Sequence, residues 1–154
     1  VTANSQDQLR DVVFKTIAEW VWKLPKDMRP LVEVTSQRAM LKPLASTNFI
    51  VGRTAGPDNT EALQGFHAQN FMIILEEASG LAEQVIEVAH GTLSDPNAKI
   101  LAVGNPTRVG GFFYDLFHKL RDSWVTQVVS SEDVPTATGH IKDIVARYGI
   151  ESNQ

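Results

Sequence analysis

Cysteine is absent from these 154 residues, and with it go disulfide frameworks, thiolate zinc sites and cysteine nucleophiles. That agrees with a reducing compartment and predicts a cytoplasmic protein. Long apolar runs are missing too: the longest, Phe71 to Leu75, is far short of the roughly 20 residues a membrane span needs. Neither sign of charge dominates. Lys plus Arg is 14 and Asp plus Glu is 18, a formal net charge of −4, so no global basic field advertises nucleic acid and any DNA contact has to be local or made by an assembly. The opening Val1-Thr2-Ala3-Asn4-Ser5 has no Met, basic stretch or apolar segment of a signal peptide, and reads as a cut through something larger. With 10 Gly and 7 Pro the chain is neither collagenous nor of low complexity. What is present is 43% hydrophobic and 21% charged residues, an ordinary globular composition. A domain of this size buries roughly 68–70% of its unfolded surface, enough for a core without staples.

Along the chain, Ser5 followed by Gln8 is a capping-box pattern, and Phe14, Ile17, Ala18, Val21 and Leu24 recur at helical spacing until Pro25; this predicts a helix over 6–23. Residues 31–35 and 39–44, interrupted nearby by Pro30 and Pro43, suit edge strands or a hairpin. Strands are expected at 48–53, 69–75, 99–103 and 123–129. A long stretch rich in Gly, Pro and Asn, 54–67, separates the first two and reads as a functional loop. Helices are expected from Leu81 up to Gly91, over 112–121 and over 141–148, with a linker at 131–138. Strands alternating with helices at such intervals make parallel pairs joined by right-handed crossovers. The predicted class is α/β, three layers around a mainly parallel sheet.

Chemistry concentrates at two predicted strand ends. Glu76 and Glu77 follow the apolar run Met72-Ile73-Ile74-Leu75, and in an open α/β sheet ligands bind at the carboxyl ends of strands. Two acids there can hold Mg²⁺ through its waters and orient an attacking water; they are equally the solvated acids of an ordinary strand-to-helix turn, favoured by the following helix dipole. Gly104-Asn105-Pro106-Thr107-Arg108 ends the next strand. Its Asn or Thr could bond a phosphate or a water and Arg108 could neutralise phosphate charge, or the segment is simply a tight turn. His67, His90, His118 and His140 show no metal-ligand pairing. Phe112, Phe113, Tyr114, Phe117 and Trp124 read as core aromatics, and so do Trp20 and Trp22. GxSxG, GxGxxG, HExxH and the phosphate-cradling GxxxxGK[ST] do not occur in the sequence.

Taken in order, Val1-Thr2-Ala3-Asn4 with Gln8, Gly52-Arg53-Thr54-Ala55, Leu63-Gln64-Gly65-Phe66-His67-Ala68, Ile73 through Gly80, and Gly104-Asn105-Pro106-Thr107-Arg108 with Gly111-Phe112-Phe113-Tyr114 resemble the ATPase region of tailed-bacteriophage terminase large subunits. The resemblance implies a P-loop NTPase-like, RecA-like core that lacks its phosphate-loop strand. Residues 1–130 would be part of the ATPase domain, and 131–154 a linker and short helix toward an absent nuclease domain. It implies Glu76 as the Mg²⁺ residue of a Walker B motif, Glu77 as the catalytic base, and Asn105, Thr107 and Arg108 as the motif coupling nucleotide state to DNA movement. The family's first acid is usually Asp, so Glu76 departs by one methylene. Mg²⁺ and ATP belong to the intact parent, with neither expected on this stretch alone. Implied partners are double-stranded DNA, a portal protein and a small terminase subunit, in the cytoplasm of a bacterial host. The family's topology also implies an interior strand missing beside 99–103, so that 99–103 and 123–129 are not simple neighbours and open sheet edges favour self-association. The alternative is a non-catalytic prophage remnant or protein-interaction module of the same fold.

Overall fold

The computed structural model describes residues 1–149 other than 55, 57, 58, 67, 94 and 95. Two sheets organise the chain. The first is parallel throughout: β1 (Thr2–Ala3) lies between β5 (Arg53–Thr54) and β6 (Met72–Leu75), and β7 (Lys99–Ala102) pairs with β6. The second is an antiparallel meander of β2 (Val32–Val34), β3 (Arg38–Leu41) and β4 (Phe49–Val51), where edge strands or a hairpin are expected around the prolines at 30 and 43. The class is therefore α/β, with a mainly parallel sheet and helices.

Strand alternation sorts the helices onto opposite faces. Ile73 and Leu75 of β6 point to the cluster holding Leu81, Val85, Ile86 and Ala89, which places α3 (Glu83–Gly91) and α4 (Phe112–Leu116) on that side. Thr2 is in register with Leu75, so its neighbour Ala3 points the other way, into a cluster with Leu9, Phe14 and Ala39. There the predicted helix runs from α1 (Gln6–Gln8) through a π-helical Leu9–Phe14 into α2 (Lys15–Lys23). Ser5 Oγ accepts the Gln8 N–H at 3.1 Å, one half of the expected capping box. The wider π turns bring residues five apart, Leu9 and Phe14, onto the same buried side.

Several expectations need correction. Thr2–Ala3 was not foreseen as a strand, yet both residues are fully buried in mid-sheet. The run 48–53 is two strands broken at Gly52, where a Cβ would stand 2.6 Å from Phe14 Cε2; the chain changes sheets where only glycine fits. Residues 123–129 form no strand. Val125 is 102% exposed and Val128 78%, and β7 does not pair with them. The expected pair of strands flanking a gap therefore has only 99–103, and among the described residues the outer edge of β7 is unpaired. On the face shared with α2, Met72, Leu101 and Val103 are about half exposed. Trp20 and Trp22 are surface residues rather than core, 62% and 71% exposed, with Lys23 and Arg29 over their rings at 4.1 and 5.3 Å. Phe113 does join the core, and Phe112, Phe117 and Trp124 pack against it. The helix expected over 112–121 is α4 followed by turns and a 3-10 turn at Arg121–Ser123. The expected linker holds 3-10 turns before α5 (Thr138–Tyr148). Ala55 and His67 of the quoted motifs, and 150–154 of the C-terminal segment, lie outside the described residues.

Candidate functional site

The carboxyl ends of β1, β6 and β7 converge, and each delivers a polar residue. Beyond β6 the chain turns sharply: Glu77 sits in the left-handed region at φ 51°, ψ 45°, uncommon for a residue with a side chain. Hydrogen bonds to both neighbouring strands hold that turn. The Glu76 N–H donates to Thr2 O at 2.9 Å and the Ala78 N–H to Val103 O at 2.9 Å. Glu76 is thus half-buried beside β1, while Glu77 is exposed with Asn4 Nδ2 donating to its Oε2 at 3.3 Å.

The Gly104–Arg108 segment closes over the same turn. A Cβ on Gly104 would come within 3.0 Å of Ala78 N and 3.3 Å of Ser79 N, so the absence of a side chain lets the two backbones touch. Thr107 Oγ1 donates to Ser79 Oγ at 3.2 Å, and the Thr107 N–H to Asn105 O at 2.8 Å. Arg108 lines a shallow cleft of about 310 Å³ with Ser79, Glu83, Gly111 and Phe112; neither Glu76 nor Glu77 is part of its wall. The two predicted groups are therefore brought together, Thr107 on the acid turn and Arg108 beside it. Asn105 is exposed, and its side chain makes no hydrogen bond among the described residues.

The residue missed as a site candidate is Asn4. A two-residue strand carries no readable periodicity, and only the pairing of β1 with β6 brings Asn4 to Glu77. Among the described residues no group of three or more His, Cys, Asp or Glu is placed to hold a metal ion. The adjacent carboxylates fit the other mode, in which Mg²⁺ keeps several waters and takes one or two acids plus substrate phosphates. Among the described residues no helix is long and apolar enough to cross a membrane.

A parallel sheet that presents two adjacent acids, an amide and a hydroxyl at its carboxyl edge defines an α/β protein with its candidate site at the strand ends, where such folds bind ligands. Comparison with known proteins narrows that class. Over 165 aligned residues the chain is 34% identical to a curated protein named "Probable terminase, large subunit" from Enterobacteria phage P7, an alignment covering 99% of this chain and 33% of the relative. The chain is homologous to that part of a phage terminase large subunit, and it spans about a third of the relative's length. No family model matches the chain, and no solved structure matches it.

Proposed function

We propose that this chain is the hydrolytic and coupling part of a DNA-packaging motor ATPase with a P-loop NTPase-like core. The observation that carries the reading is the tie between the two strand-end motifs. The acid turn after β6 and the turn after β7 share backbone contact at Gly104 and the Thr107–Ser79 hydrogen bond, so a shift at one is felt at the other. Relatedness to a terminase large subunit supplies the context. Glu77, exposed at the turn, takes the proton from the water that attacks the γ-phosphate. Glu76, anchored to β1 through its backbone, is the residue to hold Mg²⁺ through a water. When bound, that ion neutralises charge on the β- and γ-phosphates. Asn105, Thr107 and Arg108 pass the state of the nucleotide to the element that moves DNA, with the portal protein and small terminase subunit as partners in the host cytoplasm. The open edge of β7 and the half-exposed Met72, Leu101 and Val103 suit a further strand and helix carrying the phosphate-binding loop.

The test uses a longer protein that joins this chain to a Gly-rich phosphate-binding loop. Glu77→Gln is expected to abolish ATP hydrolysis while leaving ATP binding largely intact, because the amide still hydrogen-bonds but accepts no proton. Glu76→Asp is expected to keep or improve turnover. Loss of activity in Glu76→Asp as complete as in Glu77→Gln would refute the assignment of the pair.

A further inference from the structure

We propose that the outer face of α2 and the turn that follows it dock an acidic segment of a separate protein, whose apolar side chains seat on Trp20, Trp22 and Met28 while its carboxylates meet Lys23, Lys26 and Arg29. The inference goes beyond the hydrolytic reading and does not depend on it.

A surface helix ordinarily turns charged residues to water, and a single exposed apolar side chain needs no explanation. Here four fall within residues 20–31: Trp20 is 62% exposed, Trp22 71%, Met28 46% and Leu31 42%. Ile17, Ala18 and Val21 of α2 turn inward to some degree. At about 100° per residue the two tryptophans therefore stand on the two flanks of the outward face, with Glu19 and Lys23 between them. Each ring is held by a cation. Lys23 Nζ stands 4.1 Å from the centre of the Trp20 ring and Arg29 Cζ 5.3 Å from that of Trp22, and Arg29 is itself pinned, its Nε–H donating to Leu24 O at 2.9 Å. Side chains ordered beforehand lose less freedom on binding, and Trp, Met and Arg are the residues that protein interfaces favour. Charge then selects the partner. Among the described residues Lys23, Lys26 and Arg29 form no ion pair with an acid, whereas Arg10 and Lys119 do. Residues 1–53 hold eight Lys and Arg against five Asp and Glu, a balance of +3, and residues 54–154 hold six against thirteen, a balance of −7. The patch is thus unspent positive charge on the basic part of an otherwise acidic chain, and an acidic protein surface complements it. Nucleic acid is the poorer fit. Glu19, Asp27 and Glu33 are interleaved with the cations, where a phosphate backbone is met by clustered free ones, and two of the three cations cover tryptophan rings.

Titration of the chain itself against short fluorescein-labelled peptides, read by anisotropy at low salt, tests this. The probe is a peptide of glutamate with interspersed leucine. Its companions carry Gln for every Glu or Ser for every Leu, and a labelled DNA duplex and vesicles of anionic lipid stand for other occupants. The Glu/Leu peptide is expected to bind, and each companion peptide on the order of 10-fold more weakly. Trp20→Ser with Trp22→Ser, and separately Lys23→Glu with Arg29→Glu, are each expected to weaken it on the order of 10-fold, while Lys142→Glu in α5, outside the patch, leaves it unchanged. Lys26→Glu, at an exposed side chain, is expected to weaken binding severalfold and covers the case in which a double variant does not fold. Urea midpoints report folding and are expected to stay near wild type. No binding of the Glu/Leu peptide, binding that these variants leave unchanged, equal or tighter binding of the duplex or the vesicles, or self-association of the chain that the tryptophan variant abolishes, overturns the proposal. None of these outcomes touches the assignment of Glu77.

Discussion

Raising the pH from about 6 to 8 is expected to stabilise a polypeptide that carries a free amine on Val1. That nitrogen donates to Val51 O at 2.8 Å, and Val1 O accepts from the Arg53 N–H at 3.0 Å, so the amine occupies a rung of the parallel ladder that an ordinary amide N–H fills without charge. Burial first, and the Arg53 charge second, lower its pKa from 8.0 to about 6. The folded state therefore prefers the neutral amine. Below pH 6 both states are protonated and the penalty for burying the charge is complete; above pH 8 both are neutral and it is gone. In between, the unfolded chain binds more protons, so stability rises with pH. Two pKa units set a ceiling of about 2.7 kcal/mol, and residual solvent contact brings the expectation to about 1–2 kcal/mol. Urea unfolding at pH steps across this window reads the slope. Chains acetylated on Val1 are the control, since they keep the hydrogen bond, lose the charge and share every histidine titration. Stability that is flat or falling from pH 6 to 8, or an equal slope in the acetylated chain, would refute the reasoning.

Gly52→Ala forces a Cβ to 2.6 Å from the buried Phe14 ring and is expected to destabilise by about 1–3 kcal/mol, measured by urea midpoint; an unchanged midpoint would mean that helix and strand junction are farther apart. Leu75→Ala empties a fully buried site between β1 and α3, and the expected loss is about 2–5 kcal/mol in the same assay, a value under about 1 kcal/mol counting against its central place. The chain by itself, with ATP and Mg²⁺, is expected to show no turnover above its Glu77→Gln variant, since no Gly-Lys pair occurs in the sequence to cradle phosphates; magnesium-dependent turnover above that control would sink this expectation. The edge of β7, unpaired among the described residues, is expected to drive association at high concentration, visible by light scattering, and a monodisperse monomer would argue against it.

Burial and local signals made parts of this fold legible and hid others for reasons that can be named. The run Met72–Leu75 announces itself because a strand flanked on both sides needs continuous apolar residues. The 6–23 helix shows its apolar face, with Phe14, Ile17, Ala18 and Val21 all turned inward to some degree. Residues 123–129 carry the same β-prone chemistry as a true strand, yet they join no sheet, and pairing is what no local pattern records. Thr2–Ala3 is the converse. Its two residues have no pattern at all, and they form a central strand because β5 and β6 offer edges on either side. Trp20 and Trp22 show that a large aromatic does not by itself mark a core, since each lies under a cation at the surface.

The candidate site divides along the same line. Glu76, Glu77 and the Gly104–Arg108 turn were readable because each is the polar end of a recognisable apolar run, and strand ends in α/β sheets are where ligands bind. Their meeting is a consequence of β6 and β7 pairing in register from Met72 with Lys99 to Leu75 with Ala102, which brings both chains out of the sheet at the same level. Asn4 lies at the site for the same geometric reason; it stands in the first of the motifs that carry the resemblance, but no local pattern shows that it meets Glu77. Its place follows from Thr2 standing opposite Leu75: two residues beyond each partner lie Asn4 and Glu77. A one-residue slip of β1 would turn Ala3 toward the α3 side and break both the Glu76–Thr2 bond and the Asn4–Glu77 contact. The register is pinned by the core, because Ala3 packs with Leu9 and Phe14 while Thr2 is sealed on the opposite face. The contact between Asn4 and Glu77 is thus set by packing on the far side of the sheet.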